Sequence, residues 1–204
     1  MFQLSGRQPS VVDAVRVCIR AGVPGITVHP RADARHITAD DVREVAELLA
    51  PHRGTVEFNI EGDPRPDLLM LVREVRPDQC TLVPVRPGEI TSQAGWSPDT
   101  PRDLLARTIA SLKSDGIRVS LFVDPLLAPI KWAAELGADR IELYTEPYAR
   151  AFDRGVDEAH VSFGEYVEAA DYAHALGLGI NAGHDLDLDN LVIFRRLPNL
   201  AEVS

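Results

Sequence analysis

The stretch ELGADRIEL, residues 135–143, passes from one periodicity to another through a single glycine. Before it, Ile130, Ala133 and Leu136 recur at helical spacing; after it comes the short apolar run RIELYT, residues 140–145, which reads as a strand. Glycine tolerates the left-handed conformation that closes a helix, so Gly137 reads as a helix-to-strand joint. The same joint recurs in RAGVPGITV (20–28), KSDGIRVSL (113–121) and ALGLGINAG (175–183). A joint repeated four times is the signature of an alternating α/β chain.

Working outward, the strand-like runs are GITVH (25–29), TVEFNI (55–60), CTLVP (80–84), RVSLFVD (118–124), RIELYT and LGINAG (178–183). Helical faces lie between them: Val11, Val15 and Cys18; Val42, Val45 and Leu49; Leu68, Val72 and Val75; Leu105, Ile109 and Leu112; Phe163, Val167 and Ala170. Thr38 and Asp41 in TADD have the spacing of a capping box, and Leu188, Leu191 and Phe194 suggest a last helix. Strands alternating with helices imply a parallel sheet, either open and doubly wound or closed as a (β/α)8 barrel. No glycine-rich nucleotide loop is present, and polar residues gather at strand ends; both favour the TIM barrel, as one domain over residues 1–204. Six strands are clear and AEVS (201–204) begins another, so the expectation is a barrel lacking its first strand and the end of its last β/α unit.

Composition narrows the function. Apolar residues make up 45 % and charged residues 25 %, ordinary for a globular chain. A net charge of −10 argues against general attraction to nucleic acid or to an anionic membrane surface. No apolar run approaches the ~18–20 residues of a membrane span, and MFQLSGRQPS has no signal-peptide pattern, so a cytoplasmic location is expected. Cys18 and Cys80 read as buried free thiols.

The chemistry concentrates at strand ends. In TVEFNIE, Glu57, Asn59 and Glu61 share one face and Val56, Phe58 and Ile60 the other. Thr27 shares a face with His29, Glu142 with Tyr144, and Asn181 and Gly183 lead into His184. His29, Glu61, Glu142 and His184 can therefore converge from four strands on one cavity suited to general acid–base work. The same four could hold zinc or manganese, although no compact pair such as HExxH is present. Glu61 in a structural salt bridge is the plain alternative. Arg31, Arg35 and His36 offer donors beyond one strand, and Thr91 and Ser92 beyond another, a set suited to a phosphate; an ordinary solvated loop would look the same. His52, His160 and His174 read as surface or helix-flank residues.

Six stretches together, GITVHPRADARHI, FNIEG, TLVPVRPGEITSQAGW, VSLFVDP, IELYTEPYA and GLGINAGHDLDLDNL, resemble the pyridoxine 5′-phosphate synthase family in order and with few gaps, from about residue 9 onward. The resemblance implies a (β/α)8 barrel assembled into homo-octamers, working without metal or organic cofactor. It implies that 1-deoxy-D-xylulose 5-phosphate and 3-amino-2-oxopropyl phosphate are joined to give pyridoxine 5′-phosphate, phosphate and water. Carried over residue by residue, His29 and Glu61 are proton acceptors and His184 a proton donor. Arg31, His36 and Thr91 hold the deoxyxylulose phosphate, Glu142 matches a carboxylate of the site, and Asp185 stands where many members have glycine, at a backbone contact to the other phosphate. The family's first-strand motif has no match here, with Arg7 the nearest basic residue, and its final Gly-His pair lies beyond Ser204. Two other readings stay open: a non-catalytic homologue acting through subunit association, and a metal-dependent sugar-phosphate isomerase or lyase on the same barrel.

Overall fold

The computed structural model of the chain describes residues 10–34, 36–84 and 94–204. The glycine joints close as the sequence expects: Gly137 stands at φ 83°, and Gly22, Gly116 and Gly177 adopt the same left-handed conformation. Between joints the elements alternate: α1 (Val11–Ala21), β1 (Gly25–Val28), α2 (Ala39–Leu49), β2 (Glu57–Gly62), α3 (Pro66–Val75), β3 (Gln79–Leu82), α4 (Arg102–Ser114), β4 (Arg118–Val123), α5 (Leu127–Glu135), β5 (Arg140–Tyr144). Then follow α6 (Glu146–Arg154), α7 (Val156–Ala175), β6 (Gly179–Gly183), α8 (Leu191–Phe194) and β7 (Leu200–Val203). Thr38 and Asp41 form the expected capping box, each side chain accepting from the other's backbone N–H.

Two helix readings need correction. The expected last helix is a single turn, α8, and Leu188 lies outside it and is exposed. The turn-forming run DLDLDN explains this: Asp187 Oδ1 accepts from the backbone N–H of both Asp189 and Asn190, a local alternative to helix. The second is α6, which sequence periodicity passed over; its nine residues, with Pro147 in the first turn, bury only Tyr148, Ala149 and Ala151. Cys80 is fully buried and Cys18 half-buried, both as free thiols. Burial pushes the Cys80 thiol up to about 12, so it stays protonated and unreactive.

All seven strands are parallel and pair in chain order, β1 through β7. A doubly wound sheet reverses its strand order at a switch point, so this order is that of a barrel wall. Among the described residues β1 pairs only with β2, and β7 only with β6. The wall is strongly curved. Gln79 on β3 donates to Glu202 on β7 at 3.2 Å, although four strand spacings would hold them about 19 Å apart in a flat sheet.

The two faces of the sheet divide by chemistry. The outer face, including Ile60, Cys80, Leu121, Ile141 and Ile180, packs against the helices in one continuous apolar core. The inner face is polar. At its lower end Glu202 accepts from Arg118 (3.2 Å), Arg140 (2.5 Å), Gln79 and Asn181 (3.0 Å), while Arg118 also pairs with Glu57. Above this layer Asn59 Nδ2 donates to Thr27 Oγ1 (3.3 Å) and Thr81 Oγ1 donates to Asn59 Oδ1 (3.1 Å). Each inward carboxylate or guanidinium has partners from other strands, which is what makes a charged lumen tolerable.

Glu202→Ala removes the shared partner of two guanidiniums. It is expected to lower stability by about 2 kcal/mol, given the cost of stranding partly buried charged donors. Urea unfolding checks this, and an unchanged midpoint would show that the lumen layer contributes nothing.

Candidate active site

The C-terminal ends of the strands carry the site, where barrel enzymes assemble theirs. His29 follows β1 directly and Glu61 is the fifth residue of β2. Their side chains meet: His29 Nδ1 lies 3.0 Å from Glu61 Oε1. A carboxylate at Nδ1 fixes the imidazole as the Nδ1–H tautomer and leaves the lone pair on Nε2. His29 Nε2 is buried and, among the described residues, has no hydrogen-bond partner. Burial on its own raises the Glu61 carboxyl, but the His29 hydrogen bond, the charge of Arg31 and the charges His29 and His184 carry when protonated outweigh it. Glu61 is held below the usual carboxylate range.

Across the cavity stands the opposite case. Glu142, in β5, is 1 % exposed, and both burial and the neighbouring Glu61 charge drive its pKa well above the ordinary value. Ser204 Oγ donates to it at 3.3 Å, which opposes the shift only in part. The two neighbouring carboxyls are thus shifted in opposite directions, Glu61 down and Glu142 up. Gly183 makes room for the arrangement: a Cβ there would lie 2.4 Å from Glu142 Oε1 and 2.3 Å from Ser204 Oγ.

His184 follows β6, with Nδ1 3.9 Å from Glu142 Oε1. Its ring rests on Phe122, centroids 4.5 Å apart, and meets Tyr144 edge-on at 5.7 Å. Burial holds its pKa below the usual histidine value, against the pull of the Glu61 and Asp185 charges. Burial thus favours the neutral form of both the imidazole and the adjacent Glu142. His184 and Asp185 both have positive φ, 82° and 60°. Aspartate tolerates that region better than most residues, which suits Asp185 to this turn.

The four residues expected to converge, His29, Glu61, Glu142 and His184, are brought together. Arg31 is half-buried close by, and its charge reaches Glu61. His36 and Asp185 are exposed at the rim. Thr91, Ser92, Arg35 and Arg7 lie outside the described residues; the chain returns at Trp96, whose indole donates to Leu82 O (2.8 Å) over the end of β3. Sequence reading missed Phe122, which the period of two places on the inner face, and Thr145, which carries no motif. Among the described residues no three His, Cys, Asp or Glu side chains are grouped closely enough to hold a metal ion.

A curved parallel wall with paired imidazoles and carboxylates at its strand ends defines the class: a (β/α)-barrel enzyme. Solved structures agree on the fold. The YdjI aldolase from Escherichia coli K12 superposes with TM-score 0.63 at 7 % identity, over 97 % of this chain and 71 % of that one. A structure described as native KDPGal gives 0.59 at 11 % identity, over 100 % and 84 %. The family is set by sequence. The model for "Pyridoxal phosphate biosynthesis protein PdxJ" matches residues 3–204, and the chain belongs to that family. A pyridoxine 5′-phosphate synthase of Porphyromonas gingivalis is 49 % identical over 200 residues, 98 % of this chain and 81 % of the relative. One from Xanthomonas campestris pv. campestris is 52 % identical over 209 residues, covering 98 % and 79 %.

The protonated state of Glu142 has a stability consequence. Its folded pKa lies above its unfolded value, so folding takes up a proton, and stability falls as pH rises from the ordinary carboxylate range towards the folded pKa. Glu142→Gln mimics the neutral acid and lacks this loss. Its melting temperature is expected to exceed the wild-type value at pH 8 and by a smaller margin at pH 5. Equal margins at both pH values would place the proton elsewhere.

Proposed function

We propose that the chain is a pyridoxine 5′-phosphate synthase, joining 1-deoxy-D-xylulose 5-phosphate and 3-amino-2-oxopropyl phosphate by acid–base chemistry. The observation that carries this reading is the pairing of each buried carboxyl with a histidine, His29 with Glu61 and His184 beside Glu142, with the two acids shifted in opposite directions. Condensing an amine with a ketone, losing water and phosphate, and closing the ring require protons to be removed at one place and delivered at another. His29, anchored through Nδ1 by ionised Glu61, offers Nε2 as the acceptor. Glu142 and His184 form the donor side: burial favours the protonated acid, and the imidazole beside it passes the proton on. Family resemblance names His184 alone as donor; the low pKa of its ring is the reason for sharing that role with Glu142.

Arg31, His36 and Thr91 serve in this reading as the deoxyxylulose phosphate site, with the backbone at Asp185 facing the second phosphate. Guanidinium and hydroxyl donors suit a phosphate dianion, and they concentrate positive charge locally in a chain that is acidic overall. The substrates are small phosphorylated molecules. No helix among the described residues is long and apolar enough to cross a membrane. Homo-oligomeric assembly and a cytoplasmic location complete the proposal, and sizing of the purified chain tests the assembly.

Incubation with both substrates is expected to yield pyridoxine 5′-phosphate. His29→Ala is expected to lower kcat by about 10²–10⁴-fold, the usual contribution of a positioned general base, with unchanged circular dichroism. Wild-type turnover in that variant would remove His29 from the reaction. Absence of product from the unaltered chain, with correct folding, would overturn the proposal as a whole.

A further inference from the structure

We propose that Thr145 is a positioning residue for His184: its side-chain hydroxyl latches the strained turn that aims the imidazole into the cavity. Thr145 follows the end of β5 and is fully buried. Its Oγ1 donates to Gly183 O at 2.6 Å and also contacts His184 O, while its backbone N–H donates to Gly183 O at 3.1 Å. Two donors of one residue thus converge on Gly183 O, and the hydroxyl also lies against His184 O, where the chain departs from β6. That departure is strained. His184 stands at φ 82° and Asp185 at φ 60°, two successive residues with side chains in the left-handed region, a conformation that surrounding contacts must support.

The aromatic contacts do not supply the restraint by themselves. Phe122 and Tyr144 touch the ring and limit its rotation, but neither holds the backbone from which the ring projects. Asn190 Nδ2 secures Asp185 O at 2.9 Å, one peptide later. Gly183 is paired with Tyr144 and its backbone also bonds the His184 ring, and Thr145 adds the side-chain hydrogen bond at the two carbonyls of the turn. With the latch in place, the ring stays packed under Phe122 and within reach of Glu142; without it, the turn is free to relax towards negative φ and swing the ring outward. A valine keeps the shape of threonine and removes the donor. A serine keeps the donor and loses one methyl.

The inference rests on the proposed role of His184 for its effect on turnover, but its geometric content is measured separately. The titrating and charged groups facing the ring are Glu61 and Glu142 from the opposite and adjacent strands, His29, and Asp185 on its own turn. Histidine NMR titration, with His184→Asn used to assign the signal, reads the environment of the ring without any turnover. In Thr145→Val the titration midpoint is expected to rise towards that of a free histidine as the ring leaves its buried seat. The kcat is expected to fall about 100-fold, the scale of a misplaced catalytic group, with KM changed far less. Thr145→Ser is expected to restore the wild-type midpoint and most of kcat.

A wild-type midpoint and kcat in Thr145→Val overturn the proposal, as does a serine variant as damaged as the valine one. Should Thr145→Val not fold, Thr145→Ala takes its place, removing the hydroxyl with a smaller side chain, and a wild-type midpoint there overturns the proposal equally. If the chain makes no product at all, the midpoint contrast still decides the positioning claim. A shifted midpoint with undiminished kcat overturns the role in catalysis.

Discussion

A charged lumen is the constraint on which this fold turns. Barrel interiors are commonly filled by branched apolar side chains in layers. Here the layer nearest the strands' N-terminal ends is ionic: the Glu202 carboxylate sits between Arg118 and Arg140 and also accepts from Gln79 and Asn181. Ions removed from water in this way are tolerable only when each is paired from several directions. That requirement specifies curvature. Strands β3 to β7 must bend until their side chains meet across the lumen, because a flatter sheet would leave guanidiniums facing each other unpaired. The outer apolar core stabilises the wall, but it would tolerate many curvatures; the inner ion layer accepts few.

The same constraint, one layer higher, yields useful chemistry. Glu61 and Glu142 are both buried and feel each other's charge, so their neighbours decide which way each carboxyl is shifted. Glu61 has the His29 hydrogen bond and the Arg31 charge; Glu142 has a hydroxyl and a neutral imidazole. The asymmetry comes from which strand each acid occupies, since β2 lies beside the His29 turn and β5 beside β6. Strand order therefore sets proton distribution. An acid and a base held on different strands of one wall are what a condensation with several proton transfers uses.

Much of this is legible in the chain because periods and joints are local. The four glycine joints, the capping box at Thr38 and the alternation in TVEFNIE depend on few neighbours, and the strands they delimit agree with the structure within about two residues at each end. The face shared by Glu57, Asn59 and Glu61 follows from the period of two alone. Convergence of His29, Glu61, Glu142 and His184 was inferable once strand ends were taken as a common mouth. What stayed hidden depends on long-range contact. Nothing local marks Glu202 as the hub of the lumen: AEVS shows only the beginning of a strand, and the carboxylate acquires meaning from arginines 62 and 84 residues away in the chain. The short α8 went astray for the converse reason, since apolar spacing suggested a longer helix while Asp187 offered the backbone a turn.

Thr145 joins these two levels. By sequence it is the last residue of an apolar run, and threonine at a strand end is unremarked. By position it is the first residue past β5, beside the neighbour whose exit carries a histidine at positive φ. A strained turn costs free energy of order 1–3 kcal/mol, so it persists only where nearby contacts outweigh that cost. Two hydrogen bonds from one buried residue are of comparable size, about 0.5–1.5 kcal/mol each, so the balance is close enough for a single hydroxyl to decide it. Register makes this possible: Tyr144 pairs with Gly183, which carries Thr145 past the last paired position to where β6 has already turned away. The strand that contributes the protonated acid thus also contributes the residue that holds the imidazole against it, and the distance between Glu142 and His184 is set within one pair of adjacent strands.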